Sequence, residues 1–151
     1  KSRVPIFVKI SPDLEDKELE HIVALVLNYE LSGIIATNTS INYQLLRSRS
    51  NFVNGGISGK PLFERSTKVL AQLAVISEGR LHLIGVGGIS SGKDVFEKIC
   101  AGASAVQLYS ALTFLGPKLI TSILEDLNKI LDERGFSHIS EAVGTKKYRY
   151  V

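Results

Sequence analysis

The chain has 151 residues, of which 44% are hydrophobic and 22% charged, with 13 glycines. Those proportions belong to a folded domain and exclude a disordered or collagen-like chain. The single cysteine rules out a disulfide framework and a multi-cysteine zinc site, and a net charge of +3 is too small to argue for a nucleic-acid partner.

Four times a short apolar run leads into a helical pattern. The first run is Val4-Pro5-Ile6-Phe7-Val8-Lys9-Ile10, broken by Ser11-Pro12-Asp13. Leu19, Ile22, Val23, Val26 and Leu27 then recur at helical spacing, with Glu15, Asp16 and Glu18 in the first turn, where carboxylates complement the helix dipole. The second run, Gly33 to Asn38, is followed by a long polar connection over residues 40–63 and a helix near Glu64 to Ser77. The third, Leu81 to Gly88, passes through Ser90-Ser91 into a helix carrying Val95, Phe96, Ile99 and Cys100, the cysteine on its inner face. The fourth, Ala105 to Tyr109, precedes a helix from about Pro117 to Arg134 with Leu119, Ile120, Ile123, Leu124, Leu127, Ile130 and Leu131 as its apolar face. Near-continuous apolar strands alternating with amphipathic helices predict an α/β fold with parallel strands.

Four βα units suit either a small open doubly wound sheet or half of a (β/α)8 barrel. The polar residues favour the half-barrel: Lys9, then Thr37 and Asn38, then Gly87 and Gly88, then Tyr109 and Ser110 stand at successive strand ends, which converge on one face of a barrel. A lysine closing an apolar strand is expected to face an anion or a ligand acceptor. The run Thr37-Asn38-Thr39-Ser40 can read the edge of a polar planar molecule, and it fits a capped loop equally well. Gly85-Val86-Gly87-Gly88 before Ser90-Ser91 is a strand entering a glycine turn and a helix start, a pattern suited to phosphate. The connection over residues 40–63 is far longer than usual for such loops, and Arg47, Arg49 and Lys60 make it basic. His21, His82 and His138 have no metal-ligand spacing, no metal site is expected, and Lys146-Lys147-Tyr148-Arg149-Tyr150 reads as a solvated tail.

Five ordered motifs carry a resemblance. Val8-Lys9-Ile10-Ser11-Pro12-Asp13-Leu14, Thr37-Asn38-Thr39-Ser40, Gly55-Gly56-Ile57-Ser58-Gly59-Lys60-Pro61-Leu62, Gly85-Val86-Gly87-Gly88-Ile89 and Gln107-Leu108-Tyr109-Ser110-Ala111-Leu112 occur here in the order they have in dihydroorotate dehydrogenase. The chain resembles the class 2, quinone-dependent form from Val4 through Gly144, a stretch corresponding to the C-terminal half of the family's FMN-binding (β/α)8 TIM barrel. Ser11 stands where alanine is common, Ser40 where threonine is frequent, and Ser110 where some relatives carry threonine.

The resemblance implies oxidation of (S)-dihydroorotate to orotate in de novo pyrimidine (UMP) synthesis, with electrons passing through FMN to a membrane quinone. It assigns Lys9, Thr37, Ser58, Gly59, Gly88, Tyr109 and Ser110 to the cofactor, with Lys9 at the N1/O2 side of the flavin ring and Gly88, Tyr109 and Ser110 at the phosphate. Asn38 and Thr39 fall to the substrate.

Because the sequence opens on Lys1 and holds no methionine, residues 1–151 are expected to be one half of the barrel, a piece of a longer protein. The family's catalytic base, a serine in class 2 enzymes, belongs to the absent N-terminal half, so this chain alone is expected to be inactive and to need that half or a second copy against its open sheet. The parent is expected at the bacterial inner membrane as a peripheral protein on the cytoplasmic side, or alternatively at the mitochondrial inner membrane. Alternatives are a class 1 enzyme using NAD or fumarate, another flavin or phosphate barrel with a different substrate, and a non-enzymatic half-barrel assembly module.

Overall fold

The computed structural model describes residues 4–46 and 55–151. Arg47, Arg49 and Asn54 lie outside them. In chain order the elements are β1 (Phe7–Ile10), α1 (Asp16–Asn28), β2 (Gly33–Ala36), α2 (Phe63–Ile76), β3 (His82–Val86), α3 (Gly92–Ala101), β4 (Ala105–Gln107), α4 (Ser110–Leu115) and α5 (Lys118–Arg134). The strands form one parallel sheet in the order β1-β2-β3-β4.

That order decides between the two architectures left open by periodicity. A doubly wound sheet reverses its strand order at a switch point, placing helices on both faces. Here every crossover runs to the next strand in the same direction, and right-handed crossovers then put all the helices on one face. The arrangement is that of successive units of a (β/α)8 barrel. Side-chain alternation agrees. Ile10, Ile34, Ala36, Leu83 and Gly85 are buried toward the helices, whereas Lys9, Ala105 and Gln107 are exposed on the other face and Phe7, Ile35, Ile84 and Val86 only partly covered.

The core lies between sheet and helices. Leu19, Val23 and Val26 of α1, Val69, Leu70 and Leu73 of α2, and Val95, Phe96 and Ile99 of α3 pack on Ile34 and Leu83. Glu15 precedes α1 as its N-cap, with its own N–H donating 2.8 Å to the Glu18 carboxylate. The apolar runs overstate the strands, since the ladder stops at Ala36 and Val86 and the residues beyond them turn away to line the site. On α5 only Leu119, Ile123 and Leu127 are buried; Ile120 and Leu124 stay exposed because this last helix leans on α3 along a single row.

The C-terminal segment corrects the reading of a solvated tail. Gly144 N–H donates to the Ile99 carbonyl at 3.0 Å and Lys146 N–H to the Cys100 carbonyl at 2.9 Å. The Tyr150 hydroxyl donates to the Glu97 carboxylate, and the Lys146 ammonium lies 5.2 Å over the Phe96 ring. The physical reason is the end of α3, whose last carbonyls lack intrahelical partners and are satisfied by the returning chain. Burial and the bond to Glu97 raise the Tyr150 phenol well above its ordinary value, so it stays a donor.

Candidate functional site

The site is assembled at the C-terminal ends of the strands. Lys9, one residue before buried Ile10, is turned to the uncovered face of β1 and is exposed. The following loop is held from two sides. Arg65 of α2 donates through Nε to the Pro12 carbonyl at 2.7 Å and through Nη2 to the Leu14 carbonyl at 2.9 Å. Asp13 accepts from the Ser40 hydroxyl at 2.6 Å and the Ile41 N–H at 2.8 Å, tying the loop after β1 to the loop after β2.

Beyond β2, across a cis Ala36–Thr37 peptide bond, Thr37 is buried, with its N–H donating to the Val86 carbonyl at 3.1 Å. Asn38 N–H donates to the Ile10 carbonyl at 2.7 Å, so the backbone is fixed on both sides while the Asn38 and Thr39 side chains stay exposed. The two described ends of the long connection pair with each other. Ser40 and Ile57 exchange backbone hydrogen bonds at 3.1 and 2.7 Å, which brings Ser58 and Gly59 to the pocket. The Ser110 hydroxyl donates to the Ser58 hydroxyl at 2.9 Å, joining this connection to the start of α4.

At the end of β3, Gly87 and Gly88 have φ values of +115° and +75°, a region that only glycine enters freely. Space also demands glycine here. A Cβ on Gly88 would lie 2.5 Å from the Phe63 Cβ, and one on Gly87 would lie 2.6 Å from the Ser66 Oγ. The turn therefore rests directly on the first turn of α2. The Ser91 hydroxyl accepts from the Asp94 N–H at 3.2 Å, while the Asp94 carboxylate accepts from the Ser90 N–H at 2.9 Å and the Ser90 hydroxyl at 3.0 Å, fixing the start of α3.

Together these pieces enclose a cavity of about 460 Å³, within the roughly 300–1,000 Å³ range of small-molecule sites. Lys9, Thr37, Asn38, Thr39, Ser58, Gly59, Gly88, Tyr109 and Ser110, all singled out in the sequence, line it. Among the described residues Lys9 and Lys60 are its charged lining, and no aspartate, glutamate, histidine or cysteine reaches it. One wall is apolar, with Leu62, Val86, Leu108, Phe114 and Leu115, and Phe114 is 85% exposed. Cations, hydroxyls, one amide and a glycine turn facing an apolar wall suit a planar, polar-edged ligand carrying an anionic tail.

Sequence patterns missed the groups behind this lining: Asp13, Arg65, Ser66 and Lys98. Lys98 carried a readable signal, because it follows Val95 by three residues and so shares the inner face of α3.

The family model for dihydroorotate dehydrogenase matches residues 1–131. The chain belongs to the dihydroorotate dehydrogenase family. It is 50% identical over 142 residues to a dihydroorotate dehydrogenase (quinone) from Cereibacter sphaeroides, covering 94% of this chain and 40% of that protein. The mitochondrial dihydroorotate dehydrogenase (quinone) of Mus musculus is 41% identical over 145 residues, 95% of this chain and 37% of that protein. Among solved structures, a DHODH from Eimeria tenella in complex with ferulenol superposes with a TM-score of 0.90 at 38% identity, covering 95% of this chain and 39% of that one. The chain thus spans about two fifths of the length of these dihydroorotate dehydrogenases.

Proposed function

We propose that the complete protein oxidises (S)-dihydroorotate to orotate in pyrimidine (UMP) synthesis, with FMN in the pocket and a membrane quinone as the final acceptor. The observation that carries this reading is the donor set: one cavity presents Lys9, the Asn38–Thr39 pair and the Gly87–Gly88 turn together, with no carboxylate among the described residues to oppose an anion. Family membership and relatives named as quinone enzymes support the substrate and the acceptor.

Bound FMN supplies the acceptor for the hydride that leaves the substrate. By family resemblance Lys9 would hold the flavin ring, and its positive charge would stabilise negative charge on the ring. Thr37, Ser58 and Gly59 would also hold the cofactor, and Gly88, Tyr109 and Ser110 would hold its phosphate. Asn38 and Thr39 hydrogen-bond the substrate ring and so orient the carbon that gives up hydride. The apolar wall at Leu108, Phe114 and Leu115 suits an apolar acceptor such as a quinone.

Forming a ring double bond also requires a proton to leave the neighbouring carbon. Family resemblance assigns that role to a serine in another part of the protein; among the described residues no carboxylate, imidazole or thiol lines the pocket. The same part, as the N-terminal half of the barrel, covers the sheet face that carries Phe7, Ile35 and Ile84, and this chain alone is inactive. Among the described residues no helix is long and apolar enough to cross a membrane. Relatives are both bacterial and mitochondrial, and the bacterial inner membrane is the location proposed here.

The test is to purify the complete protein, identify any retained flavin, and follow orotate formation from dihydroorotate with a soluble quinone. Retained FMN with quinone-dependent orotate formation is expected. A protein that retains no flavin when loaded with FMN, or that holds FMN yet reduces it with a different substrate only, would overturn the reading.

A further inference from the structure

Lys98 is a fully buried lysine in the middle of α3, and it does not line the pocket. Its Nζ donates to the Ser66 hydroxyl at 2.6 Å and lies 3.4 Å from the Phe63 carbonyl and 4.9 Å from the centre of the Phe63 ring. All three partners are uncharged. Burying an amine among neutral groups is costly, and an apolar side chain of similar length would fill the space without that cost.

What the amine touches explains its presence. Ser66 Oγ also lies 3.3 Å from the Gly87 carbonyl and 3.1 Å from the Phe63 carbonyl. When the amine is an ammonium it donates to Ser66 Oγ, and the serine keeps its own hydrogen for Gly87 or Phe63. A neutral amine can instead accept that hydrogen, releasing the carbonyls. In a trans peptide the C=O and N–H point in opposite directions, so a Gly87 carbonyl tied to Ser66 turns the Gly88 N–H away from α2. Gly88 lines the pocket.

We infer that Lys98 is a positioning residue for the phosphate end of the site: through Ser66 its ammonium holds the Gly87–Gly88 turn in its anion-binding form, and a phosphate monoester bound there draws a proton onto it. The inference rests on the reading that the FMN phosphate lies against this turn.

Burial lowers the Lys98 pKa from 10.5 to about 7, partly offset by Asp94, so both forms are populated near neutrality in the absence of ligand. Asp94, one turn back on α3, is the charged group that acts on the amine. α2 and β3 bring the Ser66 hydroxyl, the Phe63 carbonyl and ring, and the Gly87 carbonyl, while Glu64 and Lys68 of α2 and Asp126 of α5 are exposed.

The test compares FMN with riboflavin, which lacks the phosphate, on the complete protein between about pH 6.5 and pH 8.5. FMN affinity is expected to fall with pH by up to about tenfold for each unit by which the phosphate raises the Lys98 pKa, while riboflavin affinity stays level. Ionisation of the FMN phosphate itself acts in the opposite direction. Lys98→Met should bind FMN as weakly as the parent does at high pH, with the fall gone and only the opposite effect of phosphate ionisation left. If that variant does not fold, Ser66→Ala keeps the amine and cuts its link to Gly87, and should lose the same fall in affinity. Calorimetry of the parent at about pH 8 in two buffers of different ionisation enthalpy should register proton uptake with FMN and none with riboflavin. Tighter FMN than riboflavin with no fall with pH and no proton uptake would overturn the role of Lys98 alone. Equal affinity for the two flavins would overturn the phosphate reading beneath it.

Discussion

The two sides of the pocket recognise a ligand by different means. On the β1–β2 side, side chains face the cavity: Lys9, Asn38 and Thr39 project from a backbone held by the Asn38–Ile10 hydrogen bond and by Asp13 and Arg65. On the β3–β4 side the backbone itself is the reagent, with Gly87 and Gly88 pressed onto α2 and with buried Lys98 behind them. Side-chain recognition tolerates loss of one contact because its neighbours are separately fixed. Backbone recognition does not, because the turn, the helix start and the lysine share one set of close contacts.

The sharpest way to break the comparison is Gly88→Ala. The substitution forces a positive φ onto a residue with a Cβ and drives that Cβ into Phe63, where only 2.5 Å is available. Strain of about 1–3 kcal/mol and overpacking of similar size predict a loss of FMN affinity of about 100-fold or more. Flavin retained after gel filtration measures it. If the variant keeps its flavin, the turn does not hold the phosphate.

Lys98→Met separates the stability of that side from its function. The folded pKa of about 7 lies below the ordinary 10.5, so between these values the unfolded chain holds a proton that the folded chain has released. Stability therefore rises with pH across that window and is level outside it. At about pH 6 the burial penalty is complete, and the methionine variant should be more stable by about 1–4 kcal/mol, the usual gain when a buried charge gives way to an apolar isostere. Urea unfolding at about pH 6 and pH 9 should show the gap closing as pH rises. A constant gap would mean that Lys98 does not titrate between folded and unfolded states in this range.

On the other side, Asn38→Ala should weaken orotate binding by about tenfold to a hundredfold, the worth of a hydrogen bond to a charged or strongly polar group, and leave FMN in place. Titrating orotate against the flavin spectrum reads both at once. Loss of flavin together with orotate would erase the distinction between the two sides.

The sequence exposed the front of this site and hid its back. Lys9, Asn38, Gly88 and Ser110 were legible because each stands where an apolar run ends, and in a parallel sheet those ends share one edge. The choice between open sheet and barrel was legible in the polar residues at successive strand ends and in the family resemblance, but not in periodicity, which is blind to the strand order that settles it. Asp13, Arg65, Ser66 and Lys98 act through contacts between residues far apart in sequence, such as Arg65 with Pro12 and Lys98 with Ser66, and no local pattern encodes those pairs. The ordered C-terminus was missed for the same reason: Lys146 and Tyr150 read as a polar tail until α3 supplies Cys100 and Glu97 as their acceptors.

The smallest expected effect sharpens the comparison at the helix start next to the glycine turn. Ser91 caps α3 through its hydroxyl, and Asp94 returns the bond to Ser90. Ser91→Ala should cost about 1 kcal/mol by urea unfolding, as loss of an N-cap does. A cap lost beside the phosphate turn should also lower FMN affinity relative to riboflavin, because the first turn of α3 and the Gly87–Gly88 turn are joined by only Ile89, Ser90 and Ser91. Breaking the cap of α1 with Glu18→Ala, which removes the acceptor of the Glu15 N–H, removes stability on the β1–β2 side of the sheet and should leave the FMN-to-riboflavin ratio unchanged. If both variants lower that ratio alike, the phosphate end is not a separate structural unit, and the backbone side of the pocket is no more tightly coupled than the side-chain side.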